Sequence, residues 1–163
     1  MRREQQPRTL ARTGNIDDQV SRLRRQGNTG IRIVKPDRGC GDADGLQRRA
    51  ALLRLFNGGG LSSDLCDADP YLLKAAKNHG EPAPAPCPVC KSPDFAHVTY
   101  VYGDELGPYS GRIRASDELA PMATKFGSFN VYVVEVCGRC SWNFLITTYV
   151  LGDGVPRRAL PTP

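Results

Sequence analysis

Two cysteine pairs, each with two residues between its members, constrain the fold of this chain more than any other feature. The pairs are Cys87-Pro88-Val89-Cys90 and Cys137-Gly138-Arg139-Cys140, and this spacing lets both thiolates of a tight turn face one ion. The second pair separates two strand-like runs, Val131 to Val136 and Trp142 to Val150. Four thiolates around Zn²⁺ form a closed tetrahedral structural site. The sequence therefore predicts a zinc ribbon with one structural Zn²⁺ held by Cys87, Cys90, Cys137 and Cys140.

The first pair also fits a catalytic alternative. His79-Gly80-Glu81 followed by Cys87 and Cys90 matches the H-x-E…P-C-x-x-C pattern of zinc-dependent deaminases. Only residues 82–86 separate Glu81 from Cys87, and we expect their alternating prolines to prevent a strand or helix there. A deaminase would also leave the second pair unexplained. We therefore interpret His79 as a surface residue near a helix end, and keep a redox dithiol or metal-free cysteines as the alternatives to zinc.

The remaining pattern predicts a small α+β fold, in which a zinc-ribbon-like antiparallel β-sheet is accompanied by two or three short helices. Helices are expected from Leu46 to Phe56 and from Pro70, with Asp69 as N-cap and Gly80 at the end. A less regular helix is expected around 116–126, after a loop from Gly103 to Arg114. Strand-like runs are Phe95–Tyr102, Phe129–Val136 and Trp142–Leu151.

Charge and composition divide the chain into three parts: a disordered basic arm (1–45), a zinc-ribbon-like domain (46–152) and a disordered tail (153–163). Within the arm, which is either genuine or an over-extended gene start, a marginal helix is expected from Ile16 to Gln26. Residues 1–60 contain 13 Lys/Arg and 6 Asp/Glu, whereas residues 61–163 contain 9 and 11. The arm is therefore the expected contact for nucleic acid, although Arg112, Arg114, Lys125 and Arg139 could cluster on the ribbon.

The remaining cysteines and the histidines give little indication of a catalytic site. Cys66 is interpreted as a buried small apolar residue in preference to a nucleophile or fifth ligand, Cys40 as a free thiol and His97 as structural. The chain has only two histidines, and it lacks both an H-E-x-x-H motif and a phosphate-cradling glycine motif. The loop from Tyr102 to Arg112 is either a recognition surface or an ordinary solvated loop. We therefore predict no enzyme and no small-molecule substrate.

Several motifs in order carry a family resemblance. They are Cys66-Asp-Ala-Asp-Pro-Tyr-Leu-Leu-Lys-Ala-Ala, the Cys-Pro-Val-Cys pair, Val98-Thr-Tyr-Val-Tyr-Gly-Asp-Glu-Leu-Gly, Ser-Gly-Arg112, and Val133-Val-Glu-Val-Cys-Gly-Arg-Cys-Ser-Trp-Asn. Residues 46–152 thereby resemble an uncharacterised actinobacterial family, domain of unknown function 5318. The resemblance implies a small cytoplasmic zinc-ribbon-like protein with no assigned activity. This chain departs from the family's Trp-Asn-His-Leu at Phe144.

These observations together predict a non-enzymatic zinc-binding adaptor that docks a protein partner. By analogy with other zinc ribbons, the partner is expected in the transcription or translation machinery. Direct nucleic-acid binding by the ribbon is one alternative, and a zinc- or thiol-dependent enzyme is another. The chain begins with no signal-peptide pattern and contains no membrane-spanning apolar stretch, so a cytoplasmic location without membrane contact is expected.

Overall fold

The computed structural model describes residues 40–58 and 65–156, with side chains from residue 45 onward. Most of the predicted basic arm and of the C-terminal tail, including the expected helix from Ile16 to Gln26, lies outside the described residues. The described elements, in chain order, are α1 (Cys40–Phe56), α2 (Pro70–His79), β1 (Glu81–Pro82), β2 (Phe95–Tyr102), a 3₁₀ helix (Asp104–Tyr109), β3 (Arg112–Ile113), α3 (Leu119–Lys125), β4 (Phe129–Cys137) and β5 (Asn143–Leu151).

Five antiparallel strands form one sheet, in the order β1-β2-β4-β5, with β3 also paired to β2. β2 and β4 are in register from Phe95 opposite Cys137 to Tyr102 opposite Asn130. This small α+β architecture with an antiparallel sheet confirms the predicted fold class. The register brings the start of β2 beside the end of β4, which is where the two cysteine pairs flank the sheet.

Alternation along β4 divides the core between the two faces of the sheet. On one face, Phe129, Val131 and Val133 pack with the residues of α3 and the 3₁₀ helix. On the opposite face, Val136 packs with Val98 and with the apolar side of α2. A third cluster surrounds the cysteine pairs and includes Ala51 of α1, Phe95 and Trp142. The sheet therefore carries α2 on one side, and α1 and α3 at opposite ends of the other.

Local sequence signals explain the ends of α2. The Asp69 carboxylate accepts a hydrogen bond of 2.7 Å from the Tyr71 N–H, and Pro70 occupies the first helical position. Gly80 ends the helix, and its N–H donates to the Ala76 carbonyl at 3.0 Å. The expected boundaries of this helix agree with the structure, because both ends are determined by neighbouring residues.

Three expectations about local structure are corrected. α1 begins at Cys40, earlier than the expected Leu46 and within the stretch assigned to the arm. Glu81–Pro82 forms a short strand despite the prolines, because β1 is an edge strand in which a missing N–H is tolerated. The expected loop Gly103–Arg114 contains a 3₁₀ helix and β3, because Leu106 of the 3₁₀ helix is buried in the core. No helix among the described elements is long and apolar enough to cross a membrane.

Candidate metal centre

The first cysteine pair forms a tight turn closed by the backbone. The Cys87 carbonyl accepts a hydrogen bond of 3.0 Å from the Lys91 N–H, and the Cys87 N–H donates to the Ser92 carbonyl at 3.0 Å. Lys91 has a φ of 60°, in the left-handed region that reverses the chain direction. The turn therefore returns directly toward β2 after Cys90.

The second pair repeats this backbone pattern. The Cys137 carbonyl accepts from the Ser141 N–H at 3.1 Å, and the Cys137 N–H donates to the Trp142 carbonyl at 2.9 Å. Ser141, which follows the second cysteine as Lys91 does in the first turn, has a φ of 62°. A hydrogen bond of 3.0 Å from the Gly138 N–H to the Asp94 carbonyl joins this turn to the segment before β2. The two turns are thus equivalent in backbone structure.

The two turns bring all four cysteines together. The Sγ atoms of Cys87 and Cys140 are 3.6 Å apart, as are those of Cys90 and Cys137, and all four Sγ atoms lie within 4.8 Å of one another. These separations exceed the disulfide bond length of about 2.05 Å, so the cluster consists of thiols. One metal ion could contact all four sulfurs. The four residues predicted from the spacing are therefore adjacent in the fold.

Burial and hydrogen bonding shift the pKa values of the four thiols in different directions. Burial raises the pKa of Cys87 and Cys137, and it raises the pKa of Cys140 to about 12. Burial acts in the same direction on Cys90, but hydrogen bonds from the Ser92 backbone and the neighbouring thiols outweigh it and lower the pKa to about 7. Four closely spaced thiolates repel one another unless a cation compensates their charge. The cluster therefore has the chemistry of a site that loses protons when it binds a metal.

The segment 65–68 covers one side of the cysteine cluster. Cys66 is half-buried and packs against the apolar cluster around the four grouped cysteines, but its own thiol is outside that group. The Ala68 N–H donates to the Ser141 carbonyl at 3.0 Å, and the Asn143 side chain donates to the Asp67 carboxylate at 3.0 Å. These contacts fit the interpretation of Cys66 as a packing residue.

A buried carboxylate next to the centre was not anticipated from the sequence. Glu135 of β4 is 3% exposed and accepts hydrogen bonds from Arg48 Nε at 2.6 Å, Arg48 Nη2 at 3.1 Å and Trp142 Nε1 at 2.9 Å. The two bonds from Arg48 join α1 to the middle of the sheet. Strand alternation could have found this residue, because Glu135 shares the face of Val131 and Val133 and is the charged member of that buried row.

Each histidine has a distinct environment. His97 lies opposite Glu135 on β2, with its ring edge-to-face with Phe95 at 6.3 Å. Burial lowers the pKa of His97, although the carboxylates of Glu135 and Glu81 oppose this shift. His79 is exposed at the end of α2 and is not part of the cysteine cluster. Glu81, the glutamate of the deaminase-like pattern, accepts hydrogen bonds from the backbone N–H and the hydroxyl of Ser116.

The loop from Tyr102 to Arg112 is held in place by internal contacts. Leu106 is buried, and the Glu105 carboxylate accepts from the Gly127 N–H at 3.0 Å. The Arg112 Nε atom donates to the Pro108 carbonyl at 3.0 Å. The polar side chains of Glu105 and Arg112 therefore support the fold of this loop.

The fold and the site define a class of small α+β proteins in which two equivalent turns assemble a four-cysteine centre able to hold a metal ion. The chain belongs to the family of unknown function DUF5318, whose profile matches residues 36–161. It is 47% identical over 113 residues to Uncharacterized protein Mb0050 of Mycobacterium bovis and to Uncharacterized protein Rv0049 of Mycobacterium tuberculosis. Each alignment covers 69% of this chain and 82% of the relative. No solved structure matches the chain.

Proposed function

We propose that the four cysteines hold one structural Zn²⁺. A tetrahedron with Zn–S bonds of about 2.3 Å has sulfur separations of about 3.8 Å. The separations of 3.6 Å in the cluster are close to this value. Among the metal ions that are common in proteins and have no redox chemistry, zinc is the one that prefers four thiolate ligands. With four protein ligands the ion has no open position for water or substrate, so its role is to hold the two turns together.

The preferred function is a non-enzymatic adaptor that docks a protein partner. The observation that carries this proposal is the placement of the closed centre within an apolar cluster, where it supports α1 and segment 65–68 on the sheet. A centre of this kind stabilises a surface and offers no reactive position. Association with the transcription or translation machinery, with the basic arm adding affinity for RNA or DNA, remains part of the proposal by analogy with other zinc ribbons.

The four cations considered for direct nucleic-acid binding by the ribbon do not form one cluster, because Arg139 lies apart from Arg114 and Lys125, which line the same cavity. Arg112 is paired through β2 with Val131 of β4, whereas Arg139 follows Cys137, about 20 Å further along that strand. Arg114 forms an ion pair of 3.2 Å with Glu118. This distribution favours the arm as the nucleic-acid contact, and a salt titration of RNA binding by arm-charge variants of the full chain tests that assignment.

The first test is zinc content by elemental mass spectrometry of the purified full chain. We expect one zinc per wild-type chain, loss of zinc in Cys137→Ser and full zinc content in His79→Ala. Zinc that depended on His79 and not on Cys137 would contradict the proposed centre. Affinity enrichment with the zinc-loaded wild type, using Cys137→Ser as control, then tests the adaptor role. Enrichment of nucleic acid alone, lost with increasing salt, would contradict that role.

A further inference from the structure

The outer face of α1 is apolar although it points away from the sheet. Leu46, Leu53 and Phe56 are 63%, 60% and 60% exposed. Together with exposed Arg49 they follow a spacing of three, four and three residues, which places them in one row along the helix. We call the row Leu46, Arg49, Leu53 and Phe56 the α1 seam. Its spacing is that of a helix that packs against another helix.

The opposite side of α1 already has its partner. Ala51 is buried, and Leu52 packs with it against the apolar cluster around the cysteines. Arg48 is held by the buried carboxylate of Glu135. These contacts fix the orientation of the helix on the sheet, so the α1 seam is presented on a rigid support next to the cysteine centre.

The charges beside the seam indicate the chemistry of a partner. Of the three arginines on this part of α1, Arg48 is neutralised by Glu135, whereas Arg49 and Arg54 are exposed and have no ion pair within the described residues. Asp42 and Asp44 lie at the start of α1, before the seam, and residues 45–58 contain no Asp or Glu. Carboxylates of a partner placed opposite Arg49 and Arg54 would therefore compensate the positive charge of this surface.

We propose that the α1 seam docks an amphipathic helix of a partner protein, with apolar residues on one side flanked by acidic residues. This inference rests on the proposed adaptor function and specifies the surface and the kind of partner. A second copy of the chain is a poorer match, since its seam would add the same arginines and the two acids of its α1, Asp42 and Asp44, lie before the seam. The chain's own residues 1–39 match poorly for the same reason, because they contain 10 Lys/Arg and 4 Asp/Glu.

The test measures fluorescence polarisation with the full zinc-loaded chain and labelled synthetic helical peptides of about 18 residues. One peptide has a leucine stripe flanked by Glu, the second has Lys in place of Glu, and the third is a scramble of the first. We expect the Glu peptide to bind, and Leu53→Ser to weaken binding at least about tenfold. Arg49→Glu combined with Arg54→Glu should reverse the preference to the Lys peptide. Tyr71→Ser, which changes an exposed aromatic on α2, is the matched control and should leave binding unchanged.

Three results would overturn the proposal. The first is equal binding of the scrambled peptide, or of the Glu peptide by the charge-reversed variant. The second is a dimer in sedimentation that Leu53→Ser dissociates, which would assign the seam to a second copy. The third is a large loss of thermal stability in Leu53→Ser, which would show that the chain itself covers the seam. If these occur while zinc content and partner enrichment remain as expected, only the surface assignment fails and the adaptor function stands.

Discussion

Glu135 is the residue through which α1, the sheet and the second cysteine turn meet. A buried carboxylate is costly unless it is paired and hydrogen-bonded, and here both oxygens are used. Arg48 contacts both of them, and Trp142 donates to the one that Arg48 Nε contacts. The backbone carbonyl of Trp142 in turn accepts a hydrogen bond from the Cys137 N–H. One carboxylate therefore links the position of a helix to the position of Cys137 in the four-cysteine cluster.

The Arg48–Glu135 pair gives a prediction on stability. Arg48→Met should lower the free energy of unfolding by about 2–3 kcal/mol, less than the 3–5 kcal/mol of a fully buried pair, because Arg48 remains 30% exposed. Glu135→Gln combined with Arg48→Met should cost less than the sum of the single changes, because the double variant, unlike Arg48→Met alone, leaves no buried charge without a partner. Urea unfolding of the zinc-loaded variants measures both, with Arg54→Met as the exposed control. Strict additivity would contradict the proposed coupling.

His97 gives a prediction on pH dependence. Burial lowers its pKa in the folded chain, so below about pH 6.5 the unfolded chain binds a proton that the folded chain does not. The His97 contribution to stability is thus retained above this pH and lost as the pH falls toward the lower folded value. Wild type should therefore lose more unfolding free energy than His97→Gln between pH 7.5 and 6.0 in urea titrations. His79→Gln controls for removal of an imidazole, and identical pH profiles for wild type and His97→Gln would contradict the assignment.

At the scale of elements, the sequence predicted best those features that neighbouring residues determine. Asp69, Pro70 and Gly80 specify α2 locally, and strand-like composition located β2 from Phe95 to Tyr102 as observed. The four clustered cysteines were identified because the spacing within each pair is what a shared metal ion requires. For α2 and within each cysteine pair, the decisive spacing lies within a few residues of the chain, whereas the pairing of β2 with β4 brings the two cysteine pairs together.

Features that depend on tertiary contacts were missed. α1 begins at Cys40, and its position on the sheet depends on Arg48 reaching Glu135, a residue remote in sequence. β1 forms because Glu81 faces His97 across the sheet edge, a pairing that local proline content does not reveal. The buried role of Leu106 likewise turned an expected loop into a 3₁₀ helix. Propensity gave the wrong expectation here because long-range packing dominated it.

Across the whole molecule, two of the apolar clusters differ in how far their stability depends on a metal ion. The cluster between α3, the 3₁₀ helix and the sheet consists of large apolar side chains such as Phe129 and Leu151. The cluster at the cysteine end is built around Cys87 and Cys137, with Trp142 and Phe144 stacked at 5.9 Å beside them. Without a metal, the second cluster has buried thiols where the first has hydrocarbon. The cysteine end should therefore depend on metal far more than the α3 end.

Trp142 allows this difference to be measured, because it is the single tryptophan, fully buried beside the second cysteine turn. Zinc bound with an apparent free energy of about 10–16 kcal/mol rivals the entire stability of a domain this size, about 5–15 kcal/mol. Chelation should therefore open the cysteine end and shift Trp142 emission to longer wavelength, and added Zn²⁺ should reverse the shift. Cys137→Ser should show the shifted emission from the start and not respond to Zn²⁺. Elemental analysis must first show that the chelator has removed the metal. If the Trp142 emission is then unchanged, packing alone, without the ion, holds this end of the sheet together.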